Sequence, residues 1–243
     1  MSSTGFLRMR KLIYSLLRPR CWKALRLGIA PSIEHRKALS GIHCDLIIDA
    51  GANRGQFSLI SKLVKPGVPI LAFEPIPSEA ELFRCVTTGL EMIKLHQTAL
   101  GDIAGEAELH LSRHQDSSSL LPIGEMQKKL FPATDEIGTL RVSVKRLDDF
   151  RSDWEKYARI LLKIDVQGFE LPVLKGASDA LQKCAYVYVE CSEIELYVEQ
   201  ALFRDVAEFL KDQGFKLKCR YNETLAEKQL IQADYLFCRE VSE

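Results

Sequence analysis

Three short stretches carry the residues best suited to chemistry. The first is Asp49-Ala50-Gly51-Ala52-Asn53-Arg54-Gly55. Its glycines let the backbone approach a ligand with no Cβ in the way. A dinucleotide fingerprint would read G-x-G-x-x-G and set a pyrophosphate on a helix N-terminus. This turn lacks that spacing, and Asp49 precedes its first glycine. A carboxylate repels a pyrophosphate and attracts a sulfonium, so D-x-G-x-x-x-G suits S-adenosylmethionine better than NAD. The second stretch is Glu74-Pro75, 23 positions after Gly51. An acid at about 20 residues' spacing is where a ribose-binding carboxylate is expected, and a carboxylate can accept from both hydroxyls of an adenosine. The bland alternative is an acid offsetting a helix dipole. The third is Lys163-Ile164-Asp165-Val166-Gln167-Gly168-Phe169-Glu170. Asp165 there could hold a cofactor amino group, bind an acceptor hydroxyl, take its proton, or only cap a helix. Glu170 reads first as a first-turn helix acid.

Weaker candidates complete the set. Gly101-Asp102 falls where an adenine pocket would be, and Asp102 is read as an adenine contact or an ordinary turn acid. His114 is a second candidate base, because a loop histidine can reach a substrate and hold a proton near neutrality. The other histidines, His35, His43, His96 and His110, show no metal-ligand spacing, so no metal site is expected. Ser117, Ser118 and Ser119 could bind a polyhydroxylated acceptor or simply form a polar loop.

These residues need elements to position them. Short apolar runs alternate with amphipathic stretches from residue 42 onward. Strands are expected at 44–50, 69–73, 92–99, 159–164 and 185–190, with helices at 55–65, 78–88, 147–157 and 198–213. Residues 106–111 and 140–146 alternate like exposed antiparallel strands, and 215–220 and 234–239 could pair antiparallel at the end. Residues 112–139 form a loop-rich insertion, of a length that is often functional. Alternating strand and helix implies a doubly wound, largely parallel sheet, whose ligands bind outside the carboxyl ends of the strands. Asp49, Glu74, Gly101, Asp102, Asp165 and Glu190 all fall at such ends.

The chain has 243 residues, 47% hydrophobic and 27% charged, with 33 basic and 33 acidic side chains. This is the composition of a globular domain able to bury a sizeable core, and it excludes disorder and low-complexity readings. A net charge of zero gives no global reason to seek nucleic acid. The charge is uneven: residues 1–41 hold nine Lys/Arg and one acid. Within them Leu12, Ile13, Leu16 and Leu17 share a helical face. This basic amphipathic extension is read as packing on the domain or on a second subunit of a homo-oligomer, or as touching an anionic membrane surface. No apolar run is long enough to span a bilayer. Seven cysteines without a C-x-x-C suggest reduced thiols and a cytoplasmic setting.

Taken in order, residues 49–55, Phe73-Glu74-Pro75, Ala99-Leu100-Gly101-Asp102, Leu147-Asp148, residues 162–170 and Leu174-Lys175-Gly176-Ala177 resemble the FkbM-type family of S-adenosylmethionine-dependent methyltransferases. The resemblance spans about residues 44–240. It implies a class I methyltransferase fold, an α/β Rossmann-like seven-stranded sheet whose last strand is antiparallel, with residues 42–243 as the catalytic domain. It also implies O-methylation of a sugar, glycan or small natural-product hydroxyl. Matching positions make Asp49, Gly51, Asn53, Gly55, Glu74 and Asp102 cofactor contacts, with Pro75 and Gly101 beside them. One departure stands out: Gln167 replaces the first glutamate of the family's K-I-D-x-E-G-x-E, which puts a charged role there, such as metal ligand or base, in doubt and leaves a hydrogen-bonding one open. An NAD-dependent oxidoreductase and a non-catalytic binding module remain the alternatives.

Overall fold

The structure is a computed structural model and describes residues 3–240. Residues 1–2 and 241–243 lie outside the described residues. The extension folds as helices α1 (Ser3–Leu16), α2 (Trp22–Arg26) and α3 (Arg36–Ser40). The alternation then begins: β1 (Leu46–Ala50), α4 (Gln56–Val64), β2 (Ile70–Phe73), α5 (Pro77–Thr87) and β3 (Ile93–His96). Next come β4 (Ala99–Leu100), β5 (Gly105–Ser112), α6 (Glu125–Leu130) and β6 (Glu136–Lys145). The second half contributes α7 (Arg151–Trp154), β7 (Ile160–Ile164), α8 (Glu170–Lys175), α9 (Ser178–Leu181) and β8 (Cys184–Ser192). It closes with α10 (Phe203–Asp212), β9 (Phe215–Ala226) and β10 (Gln229–Arg239).

Seven strands form one sheet in the order β3-β2-β1-β7-β8-β10-β9. Pairs β1–β2, β2–β3, β1–β7 and β7–β8 are parallel, while β10 runs antiparallel to both β8 and β9. Strands β1 and β7 are buried along their whole length, as expected of central parallel strands covered on both faces. Their side chains divide by the period of two. Ile48, Ala50, Leu162 and Ile164 enter one core with Val173 and Leu174 of α8 and Val206 and Leu210 of α10. Ile47 and Leu161 enter the other, with Ala38 and Leu39 of α3 and Phe57 and Ile60 of α4. The order reverses at β1, which places the crevice of a doubly wound sheet at the carboxyl ends of β1 and β7.

Several boundaries differ from the sequence reading, each for an identifiable reason. The third strand stops at His96. The chain then crosses to a separate sheet of order β4-β6-β5, where the Thr98 hydroxyl donates to the Ser143 carbonyl at 2.8 Å. Helix α5 starts at Pro77, with Pro in its first turn, rather than on a Ser78 cap. The expected helix at 147–157 divides into a 3₁₀ turn, Leu147–Phe150, followed by α7. Helix α10 starts at Phe203 because residues 197–200 turn instead. There the Gln200 side chain accepts from the Leu196 and Tyr197 amides, and Glu199 has φ 61°. The insertion is more ordered than its composition suggests, since it contains α6 and the first residues of β6. All seven cysteines are unpaired thiols. Among the described residues no helix is long and apolar enough to cross a membrane.

Candidate active site

A cavity of about 510 Å³ opens at the carboxyl ends of β1, β2, β7 and β8. Its walls include the turn after β1, the segment after β2, β4, the segment after β7, the insertion, and a cluster joining the N-terminal extension to β9 and β10.

Gly51, Ala52 and Asn53 supply the turn after β1. Gly51 has φ 75°, and a Cβ there would lie 1.8 Å from the Asp165 carbonyl oxygen. Only glycine lets the tips of β1 and β7 approach this closely. Gly55, with φ 85°, turns the chain into α4 and does not face the cavity. Asp49 is wholly buried below the turn and is also absent from the cavity wall. Its carboxylate accepts from the Ser58 hydroxyl at 2.7 Å and pairs with the Lys163 ammonium at 3.1 Å. Asp49, expected from its type to meet a cationic ligand, is met here by the buried Lys163 ammonium.

Glu74 and Pro75 do line the cavity. Glu74 is 4% exposed. Its Oε2 accepts from the Asn53 amide and its Oε1 from the Ile76 amide, both at 2.8 Å. Burial pushes its pKa up to about 7, against the pull of those two hydrogen bonds. Beside it Ile76, Ala99, Leu100 and Phe169 form an apolar wall. Gly101 is buried behind that wall, where a Cβ would lie 2.9 Å from Val144 Cγ1. Asp102 is exposed. Neither Gly101 nor Asp102 reaches the cavity, because the chain turns outward after β4.

The segment after β7 contributes Asp165 and Gln167. The Gln167 amide donates to Asp165 Oδ1 at 2.8 Å and to Glu190 Oε2 at 2.9 Å, so a neutral group separates two acids. Gln167 has φ 56° and is held by the Tyr197 hydroxyl on its side chain and by the Ser119 hydroxyl on its carbonyl. Asp165 Oδ2 also lies 3.6 Å from Lys163 Nζ. Burial disfavours charge on Lys163, yet Asp49 and Asp165 outweigh it and hold its ammonium above the usual lysine range. Glu190 is raised well above the ordinary carboxyl range by burial and by Asp165 and Asp234. Glu170 is buried, accepts from the Gly168 amide at 2.9 Å and does not face the cavity.

His114 does not reach the site. It is exposed and closes a turn of the insertion, its amide donating to Ser112 Oγ at 3.2 Å. Ser118 and Ser119 do line the cavity, together with Asp116.

The sequence reading missed a cluster built around His35, on the 3₁₀ turn Ile33–His35. His35 lines the same cavity as Glu74. Its Nδ1 lies 3.0 Å from the Tyr188 hydroxyl and 3.4 Å from Asp234 Oδ2. Tyr188 donates to Asp234 at 3.0 Å, and the Asn222 amide donates to it at 2.6 Å. Although Asp234 is buried, His35, Asn222 and Tyr188 keep its carboxyl below the usual range. The Asn222 amide nitrogen also lies 3.2 Å from His35 Nδ1, so all of these polar contacts of the ring converge on Nδ1. Glu34 also lines the cavity: Oε1 accepts from Lys11 at 2.7 Å, while Oε2 is buried with no hydrogen-bond partner among the described residues. No local pattern flags these groups, since the partners of His35 lie more than 150 residues away. Among the described residues no group of three His, Cys, Asp or Glu could hold a metal ion.

Comparison with known proteins agrees with this architecture. The family described as the methyltransferase FkbM domain matches residues 49–217. The chain is 31% identical over 196 residues to the methyltransferase sdnD of Sordaria araneosa, covering 70% of this chain and 73% of that one. It is 28% identical over 173 residues to the 2-O-methyltransferase NoeI of Sinorhizobium fredii, covering 68% and 70%. It is also 28% identical over 212 residues to the 31-O-demethyl-FK506 methyltransferase FkbM of Streptomyces tacrolimicus, covering 77% and 79%. Among solved structures, TehB of Haemophilus influenzae superposes with a TM-score of 0.51 at 9% identity, covering 90% of this chain and 66% of that one, and shares the fold. With the doubly wound sheet, the glycine turn against Asp165 and a match over most of the chain, the protein belongs to the FkbM methyltransferase family.

Proposed function

We propose that this protein transfers a methyl group from S-adenosylmethionine to a hydroxyl of a sugar, glycan or small polyhydroxylated natural product. The observation that carries the reading is the double character of one cavity. Part of its lining offers Glu74 with apolar side chains; another part offers His35 with carboxylates and a buried, unpartnered Glu34 oxygen. The names of two relatives, both O-methyltransferases, support a hydroxyl acceptor.

The residues present fit the methyl donor. Glu74 is a buried carboxylate on the cavity wall, and each of its oxygens keeps a lone pair beyond its one backbone bond. Those lone pairs suit the paired hydroxyls of a ribose. Ile76, Ala99, Leu100 and Phe169 suit the faces of an adenine ring. Gly51 and Ala52 bring backbone to the cavity with little side-chain bulk. When bound, S-adenosylmethionine supplies a methyl group already activated on a positively charged sulfur. The protein's task is then to position the acceptor oxygen and to accept its proton.

Two groups compete for that proton. Asp165 faces the cavity, but Gln167 holds one of its oxygens and Lys163 stands near the other. His35 is better placed as the base. Tyr188 donates to Asp234, which leaves its oxygen to accept from His35 Nδ1; in the tautomer with the proton on Nδ1, Nε2 receives the acceptor proton. Asp165 then serves to orient the acceptor and to add negative potential where a sulfonium would sit.

The test is an acceptor screen with isotopically labelled S-adenosylmethionine, preceded by thermal shifts with S-adenosylhomocysteine and with NADH. A shift with the first ligand alone, lost in Glu74→Ala, and label on sugar or natural-product oxygen are the expected results. Label appearing only on nitrogen, or an NADH shift alone, would overturn the proposal.

A further inference from the structure

Helix α1 turns its apolar stripe away from the protein. Met9, Leu12, Ile13 and Leu16 stand at i, i+3, i+4 and i+7, one face of a helix, and are 43, 49, 52 and 56% exposed. Leu17 at 74% and Trp22 at 50% extend the patch. The opposite face meets the domain. Lys11 pairs with Glu34 at 2.7 Å, Tyr14 packs against the core that contains Ala38, Leu39 and Ile42, and Ser15 is buried. An ordinary surface helix is oriented the other way, with apolar side chains inward.

Cations surround the stripe. Arg8 and Arg10 are exposed and flank it, and Arg20, Lys23 and Arg26 are exposed beside Trp22. Residues 1–41 carry nine basic side chains against one acid. A second copy of the chain would bring an equally positive rim against this one, and like charges would oppose the contact. A nucleic acid would pair with the rim and leave the leucines in water. An anionic bilayer satisfies both parts: apolar side chains enter the acyl boundary, arginines and lysines meet phosphate headgroups, and an indole sits at the interface.

We propose that the outward face of α1 docks this protein on an anionic lipid surface. Leu7, on the inward face of the same helix, lines the active-site cavity. A docked α1 therefore sets that cavity about one helix diameter, roughly 10 Å, from the lipid. Docking is independent of the acceptor's identity, so its failure would leave the methyl-transfer reading untouched.

The experiment uses the full chain and vesicles of phosphatidylcholine with or without phosphatidylglycerol, read by co-sedimentation. Binding is expected on the anionic vesicles, weakened by added salt. The triple variant Leu12→Gln/Ile13→Gln/Leu16→Gln should lower the partition coefficient at least about tenfold. Its thermal shift with S-adenosylhomocysteine should match the parent chain, because the three side chains touch neither the cavity nor the core. Equal binding of parent and triple variant, or no preference for anionic vesicles, would overturn the proposal. So would a parent chain that sediments as a dimer in solution and a triple variant that sediments as a monomer, because the face would then belong to a second copy.

Discussion

Lys163 and Asp49 form a buried ion pair, with 3.1 Å between Nζ and Oδ1, directly under the glycine turn that borders the cavity. The same ammonium donates to the Gly51 carbonyl at 3.0 Å. The pair therefore ties the tips of β1 and β7 to the turn that follows β1. Breaking such a pair from one side leaves an uncompensated buried charge, a loss of about 3–5 kcal/mol. Lys163→Met should show that loss in urea denaturation, and adding Asp49→Asn to it should recover part of the stability. Additive losses in the double variant would show that the two groups are not coupled.

Glu74 gives the site a pH dependence whose sign follows from its raised pKa. Its ordinary value is 4.5 and its folded value about 7. Between those values the unfolded carboxyl is ionised while the folded one still holds its proton, so Glu74 lowers stability as pH rises through that window. A ribose diol donates to the ionised form, so the affinity for S-adenosylhomocysteine should climb between pH 6 and pH 8, by at most about tenfold per unit. Calorimetric titration across that range should show the climb in the parent chain and a flat profile in Glu74→Gln.

Replacing His35 separates chemistry from binding. His35→Gln should lower kcat about 10²- to 10⁴-fold while leaving the thermal shift with S-adenosylhomocysteine intact. Asp234→Asn should lower kcat less and distort the acid limb of the pH–rate profile, because Asp234 acts through Tyr188 and His35. The groups facing His35 are Asp234 from β10, Tyr188 from β8 and Asn222 from β9; Glu34, Glu223, Glu190 and Lys163 lie along the same cavity. A full rate in His35→Gln would return the proton to Asp165.

Gln167→Glu would set a third carboxyl between Asp165 and Glu190, where the amide now donates to both. Like charges raise the pKa of the introduced acid, so its penalty should appear as pH rises. The variant should be close to parental stability near pH 5 and about 1–3 kcal/mol weaker near pH 8, as read by urea midpoints at the two pH values. Equal losses at both would point to packing rather than charge.

Gly51→Ala combines a positive φ with a Cβ placed 1.8 Å from a backbone oxygen. Displacing the Asp165 carbonyl would open the β1–β7 junction and move Asp165 with it. A loss of about 2 kcal/mol or more, with no thermal shift from S-adenosylhomocysteine, is the expected outcome.

Much of the fold is legible in local pattern. The apolar runs of β1 and β7, the 3.6-residue period of α4 and the glycine turn between β1 and α4 depend on neighbours a few residues apart. The position of Glu74 follows from the same logic, because a strand tip after a fixed β–α unit falls at a predictable spacing. Boundaries were less legible where a side chain bonding to backbone decided them: Gln200 capping the turn three and four residues before it, and Thr98 reaching the Ser143 carbonyl to draw β4 into the second sheet.

What the chain's one-dimensional order determined by itself was the alternating α/β layering, the glycine turn, the acids at strand tips and the basic N-terminal helix, because short-range sterics and hydrophobic period are sufficient for each. Which acids face the cavity was decided only in three dimensions. Asp49 is neutralised by a lysine from another strand, while Asp165 stays on the cavity wall. His114, promising by type, lies outside, and His35 meets an aspartate 199 residues later. A carboxylate or imidazole takes its role from the charges and burial around it, and those neighbours are assembled by tertiary packing rather than by adjacency in the chain.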